Sequence, residues 1–195
     1  LYRLMDDKWL ELHDFNREIL KLVVAPNYSR PNDPILFALV KESPFVYRIT
    51  DATTGPVNIE PLRSNLSAVA PSGIDLHPDF SNTPIVYIAT KTNGAFSLDL
   101  SDPLPLWSPF GNNIPAAAVD DIALSKNFAT DGIAYLATNA DIMKLDFNND
   151  WQGLNGAFRL DDTDDSLTTY SPNDPTVIDP SHAWPWRSIR RSSLP

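Results

Sequence analysis

The chain has 195 residues, enough for one domain with a sizeable core, and its 43% apolar content excludes disorder throughout. Acidic residues outnumber basic ones 25 to 15, which argues against nucleic acid as the main partner. With no cysteine, disulfides, zinc-thiolate sites and thiol nucleophiles are excluded together, and no run of about 18 apolar residues is present to cross a membrane. Proline is abundant at 18 and glycine scarce at 7, a balance that suits many short strands joined by Pro, Asn and Asp turns.

Residues 1–13 read as the end of an incomplete unit, because Leu1–Asp6 (LYRLMD) matches a strand that returns three more times. Lacking an initial Met and a signal-type apolar core, this start reads as processed or as a piece of a longer chain. Residues 14–62, 63–113 and 114–155 then form three fuller units of roughly 45–52 residues. Each carries a strand, an apolar second strand (Ile35–Val40, Ile85–Thr90, Ile133–Thr138) and a third strand around Tyr47, Phe96 and Met143, the places matched by Tyr2. Each of these units ends its first strand in an Asn/Asp-aromatic pair, Asn27-Tyr28, Asp79-Phe80 and Asn127-Phe128. Asp14–Leu22 also admits a short helix capped by Asp14, and Asn93-Gly94 predicts a tight type I′ hairpin. After Gly156 the pattern fades into a decayed unit or loop over 156–178, followed by a Trp/Arg/Pro-rich tail over 179–195. A unit of three or four short strands cannot bury its own faces, so stacked copies are expected.

The segments Pro78–Asp99 and Lys126–Asp146 resemble the repeats of Asp-box (BNR, sialidase-like and sortilin-like) β-propellers, strongly diverged. The resemblance covers roughly residues 1–155. It implies an all-β, β-propeller-type array of three to five antiparallel blades, either complete or part of a larger propeller. It also implies structural roles for Asp6, Asp99 and Asp146, capping their own turns, and for Trp9, Trp107 and Trp151, packing between strands. An extracytoplasmic location follows from the same resemblance and from no residue. The Asp-box glycine is missing at every repeat, so the turns have been rebuilt.

Residues able to carry chemistry are scattered. His13, His77 and His182 lack metal-ligand spacing, and the arginines form no repeated cluster of the kind a sialidase uses to grip a carboxylate. Asp161, Asp162, Asp164 and Asp165 offer carboxylates to a hard cation, but the glycine and closing glutamate of a calcium loop are absent, and a solvated turn is the reading. No cofactor or metal is expected. Trp184, Trp186, Arg187, Arg190 and Arg191 have the character of a recognition cluster, equally able to pack on the chain's own surface or on a partner's. These features point to a non-enzymatic scaffold or recognition domain for a protein or glycan partner. The alternatives are a structural subunit of a larger surface or membrane-associated assembly, and a diverged sialidase-like glycoside hydrolase.

Overall fold

A computed structural model describes residues 1–26, 35–50, 57–62, 65–66, 70–113, 118–146, 148–154, 159–160 and 167–168, with backbone alone at 5, 159, 160, 167 and 168. The described structure is all-β apart from one helical turn, and every strand pairing in it is antiparallel. The chain divides into two units, Leu1–Gly153 and Leu154–Pro195. The second unit pairs β15 (Arg159–Leu160) with β16 (Leu167–Thr168). The Asp161–Asp165 turn, the tail, and with it Trp184, Trp186, Arg187, Arg190 and Arg191, lie outside the described residues.

The first unit opens with a hairpin of β1 (Tyr2–Met5) and β2 (Lys8–Glu11). Three four-stranded sheets follow, each a meander in chain order. The first is β3 (Ile19–Val24), β4 (Leu36–Val40), β5 (Val46–Thr50) and β6 (Asn58–Pro61). The second is β7 (Pro71–Leu76), β8 (Ile85–Thr90), β9 (Gly94–Asp99) and β10 (Ser108–Pro109). The third is β11 (Val119–Leu124), β12 (Ala134–Thr138), β13 (Ile142–Leu145) and β14 (Trp151–Gly153).

Strand register makes the repeat exact to the residue. Leu36 pairs with Ile49, Val86 with Leu98, and the neighbouring pairs of β12 and β13 set Ala134 against Leu145. One strand further out, Ile49 pairs with Ile59 and Leu145 with Trp151, while the β9–β10 register sets Trp107 beside Leu98. Leu4 pairs with Trp9 in the hairpin, so Trp9, Ile59, Trp107 and Trp151 hold one structural position. The first strands share an irregularity too. Each is bulged, between Ile19 and Lys21, Pro71 and Gly73, and Val119 and Asp121. Such bulges increase local twist and re-aim a strand.

Residues alternate across each strand, so every sheet has two apolar faces. One face carries Phe37, Leu39 and Val46 in the first sheet and packs on Ile74, Val86, Ile88, Leu98 and Trp107 of the second. The corresponding face of the second sheet, Tyr87, Ala89 and Ala95, packs on Ile122, Ala134, Leu136, Met143, Leu145 and Trp151 of the third. Behind the first sheet, Ala38, Ile49, Tyr47 and Ile59 receive Leu1, Leu12 and Phe15 from the hairpin and its linker. Each fully buried Leu, Ile, Phe or Val contributes on the order of 1.5–3 kcal/mol, so sheet-on-sheet burial is the dominant stabilising term. Because β4 and β8 bury both faces, their sequences are continuous apolar runs rather than alternating ones.

Local chemistry departs from expectation in two places, after Thr90 and after Asn127, and the alternative helix over Asp14–Leu22 does not form. Residues 12–18 hold no helix; Asp14 Oδ1 accepts the Asn16 N–H at 2.8 Å, capping a turn that leads into β3. Asn93-Gly94 is not a two-residue turn. Thr90 pairs with Gly94, leaving the three-residue loop 91–93, and Gly94, which closes it, takes the left-handed conformation at φ 84°. Thr90 Oγ1 directs that loop, donating to Gly94 O at 2.9 Å and accepting from Asn93 N at 3.1 Å. The stretch after Asn127 forms helix α1 (Phe128–Asp131), ended by Gly132 at φ 62°, where a missing Cβ removes the left-handed penalty.

The first strands of the sheets converge, with β7 packed against both β3 and β11. Gly73 allows this: a Cβ there would lie 2.6 Å from Asp121 Cα and 2.9 Å from Ile122 N, which are backbone atoms with nowhere to move. Gly73→Ala is therefore expected to cost about 1–3 kcal/mol in urea unfolding, as overpacking does; an unchanged midpoint would show that β7 and β11 are not in this contact.

Candidate functional site

The aspartates at the ends of the third strands serve their turns in different ways. Asp99 Oδ1 accepts the Ser101 N–H at 2.8 Å and the Ser101 hydroxyl at 2.6 Å. Asp146 Oδ1 accepts the N–H groups of Asn148 and Asp150 at 2.8 and 2.9 Å, and its Oδ2 accepts Gln152 Nε2 at 2.7 Å. Asp6 instead forms, with Asp7, the two-residue loop of the first hairpin, both at positive φ (48° and 61°), as a type I′ turn requires. Trp107 and Trp151 are buried, whereas Trp9 is 70% exposed. Trp151 Nε1 donates to Phe110 O at 2.8 Å, and Gly111, at φ 78°, leaves room for the indole; a Cβ there would meet Trp151 Cδ1 at 2.7 Å.

Where the first strands meet, charged side chains bridge the sheets. Lys21 of β3 donates to both carboxylate oxygens of Asp121 in β11, at 2.6 and 2.8 Å. Lys91 pairs with Asp120. Ser72 Oγ donates to Val119 O at 2.6 Å, and Asp75 Oδ2 accepts the Leu124 N–H at 2.7 Å. By register, Lys21, Gly73 and Asp121 occupy the same place in their sheets. Cation, gap and carboxylate are thus complementary rather than repeated, a pattern that no search for similar residues detects. The Lys21–Asp121 pair is part-exposed and contributes only about 0–1 kcal/mol. These polar groups hold strands together and leave no cluster of three or more metal-ligating side chains among the described residues.

One concave feature combines aromatic and charged groups. The β4–β5 loop and the linker before β3 enclose a cleft of about 280 Å³, walled by Phe15, Phe45 and Tyr47, with Arg17, Glu42 and Ser43 around them. Phe15 meets Tyr47 edge to face at 5.1 Å, and His13 meets Phe15 in the same way at 4.6 Å. Arg17 Nη1 donates to Glu42 O at 2.9 Å, fixing a loop in which Glu42 holds φ 58°. The buried Ser43 hydroxyl donates to Tyr47 Oη at 3.3 Å and accepts the Phe45 N–H at 3.2 Å. In the sequence Tyr47 stands out only as a repeat position and the other lining residues not at all; the aromatic spacing at Phe15, Phe45 and Tyr47 is the available signal.

Two phenols, Tyr87 and Tyr2, are raised above their ordinary value. Burial pushes Tyr87 up to about 12, with the Asp99 charge adding to it, and the Glu11 carboxylate beside Tyr2 raises that hydroxyl as well. His77 is buried and spends Nδ1 on the Asp79 N–H at 3.2 Å. No helix among the described residues is long and apolar enough to cross a membrane. No protein-family model matches the sequence, and no curated protein is similar to it.

Ser101 holds the Asp99 carboxyl below its ordinary value of 3.8, through its hydroxyl first and its N–H second. A depressed carboxylate stabilises the fold above its unfolded pKa, and that contribution is lost as pH falls through the folded value. Ser101→Ala is expected to raise the Asp99 pKa toward 3.8 in a carboxyl NMR titration; an unmoved titration would contradict the turn geometry. Asp146→Ala is expected to lower stability by about 1–2 kcal/mol, through stranded backbone donors.

Proposed function

We propose that this chain is a β-propeller-type scaffold and recognition domain, in which stacked blades hold loops and an aromatic cleft in place for a protein or glycan partner. The Phe15–Phe45–Tyr47 cleft carries the proposal. Aromatic faces with a nearby cation and carboxylate suit a saccharide ring, whose C–H face stacks while its hydroxyls find polar partners. The rest of the surface chemistry supports a non-enzymatic reading. Asp99, Asp131 and Asp146 are occupied by their own turns, and Tyr87 stays protonated far above neutral pH. A second reading, a structural subunit of a larger assembly, is favoured by the exposed aromatic face of the first hairpin, where Tyr2, Leu4 and Trp9 all face solvent. Likeness of repeat order to the Asp-box propellers bears on architecture and not on ligand.

The test is chemical-shift mapping with a panel of mono- and oligosaccharides, with product formation followed in the same samples. Shifts confined to residues 13–17 and 41–47, lost in Phe45→Ala at unchanged melting temperature, are expected. Cleavage of a saccharide would instead establish the glycosidase alternative, and shifts elsewhere would move the site.

A further inference from the structure

The Phe15–Phe45–Tyr47 cleft has a charge preference, and its own residues set the sign. Its walls are rings inclined to one another. Tyr47 meets Phe15 edge to face at 5.1 Å and 61°, and Phe45 at 6.5 Å and 74°. Rings crossed in this way turn their π faces in different directions, and a π face attracts a cation and repels an anion. Phe45 is 36% exposed, so one ring of the wall stands open to solvent.

Two charged side chains line the same cleft, Arg17 and Glu42, and they are differently engaged. Arg17 Nη1 donates to the carbonyls of Lys41 and Glu42, at 3.4 and 2.9 Å. That guanidinium fastens the loop. Glu42 is the residue so fastened, and its backbone holds φ 58°, a conformation that residues with a Cβ seldom take. Strain of this kind collects where a loop presents a side chain to a ligand. Among the described residues Glu42 enters no ion pair. The adjacent ammonium, Lys41, is taken by Glu18 at 3.0 Å and feels Glu42 more weakly than Glu18. The neutral polar groups of the cleft already serve each other: the Ser43 hydroxyl donates to Tyr47 Oη and accepts the Phe45 N–H. The Glu42 carboxylate is thus the group left to discriminate between ligands.

We infer that the cleft selects a saccharide carrying a free ammonium group, a hexosamine unit without its acyl substituent, with its C–H face on the rings and its ammonium at the Glu42 carboxylate. This rests on the saccharide reading proposed above and names the class of sugar. A volume of about 280 Å³ lies at the small end of ligand sites, with room for one sugar ring. The sugar hydroxyls stay at the open mouth, where water keeps their hydrogen bonds. An anionic sugar has Arg17 to meet. It also meets the π faces, the Glu42 carboxylate and the field of a chain whose net charge is -10. A cationic sugar has the field, the rings and the carboxylate on its side, against one guanidinium already turned to the loop.

The experiment titrates glucosamine, glucose, N-acetylglucosamine and glucuronate into the full chain, read by chemical-shift changes. Wild type, Glu42→Gln and Phe45→Ala are compared, with unfolding midpoints measured alongside. Glucosamine is expected to bind the wild type about three- to tenfold more tightly than the two neutral sugars, the scale of an exposed ion pair plus a cation–π contact. Glucuronate is expected to bind most weakly. Glu42→Gln keeps the shape of the side chain and removes its charge, so glucosamine is expected to fall to the level of glucose while glucose is unchanged. Phe45→Ala is expected to weaken all of them. Raised salt is expected to narrow the wild-type preference; this arm needs no variant, so the inference stays testable if Glu42→Gln fails to fold. Equal affinity for glucosamine and glucose, or tighter binding of glucuronate, would overturn the inference and leave the saccharide reading standing. So would a glucosamine preference that survives Glu42→Gln or ignores salt. Silence from all four sugars would remove the saccharide reading and this inference together.

Discussion

A four-stranded sheet whose two faces are both apolar cannot be stable alone, and the rest of this molecule follows from that constraint. Each sheet must present one face to the sheet before it and the other to the sheet after it. Phe37 and Ala38, adjacent in β4, therefore bury in opposite directions, into different clusters. The contact is clasped at its outer rim by a recurring pair. Leu62 follows β6 and shares a cluster with Trp107; Phe110 follows β10 and meets Trp151 edge to face at 5.7 Å. Backbone bonds lock each clasp. Asn65 exchanges two hydrogen bonds with the Trp107 backbone, and Asn112 accepts the Trp151 N–H at 3.0 Å. The linker leaving one sheet is thus the element that seats the tryptophan of the next.

Because packing is carried by equivalent apolar positions, the polar residues between them have been free to diverge. Position by position, the convergent strand ends hold a lysine, a glycine and an aspartate, which tie the sheets by complementarity. The turns vary in the same way. The gap between the third-strand leucine or isoleucine and its outer-strand partner shortens from Ile49–Ile59 to Leu98–Trp107 to Leu145–Trp151, yet register restores the same neighbour each time. Loops of such freedom, carried on a rigid stack, are where recognition develops. The cleft beside the β4–β5 loop is built from them.

Much of the fold is legible in the sequence where burial leaves a signature. The runs at Ile35–Val40 and Ile85–Thr90 align because both faces of those strands are covered; Ile133–Thr138 aligns with them although only Ala134 and Leu136 of it are buried, and β5, β9 and β13 align through Tyr47, Phe96 and Met143. The tryptophans were visible as residues following an aspartate at unequal distances; their common position emerges only from strand pairing. The Asn65 and Asn112 clasps were not legible, since the first is a backbone-directed amide and the second uses main-chain groups alone, and neither leaves a sequence pattern. Helix α1 was missed because four residues are too few for a period. The type I′ expectation at Asn93-Gly94 failed because Thr90 supplies a side-chain bond that favours a longer loop. The cleft was missed because its walls come from a linker and a loop, neither of which repeats.

Coupling across the rim clasp tests the central claim, that neighbouring sheets and not the individual sheet hold the structure. A double-mutant cycle on Phe110→Ala and Trp151→Phe, read by urea unfolding, isolates the contact between the second and third sheets. The account predicts a coupling energy of about 0.5–1.5 kcal/mol, as for a buried aromatic pair. Strictly additive losses would mean that Phe110 and Trp151 do not meet, and that the sheets are not docked by this rule.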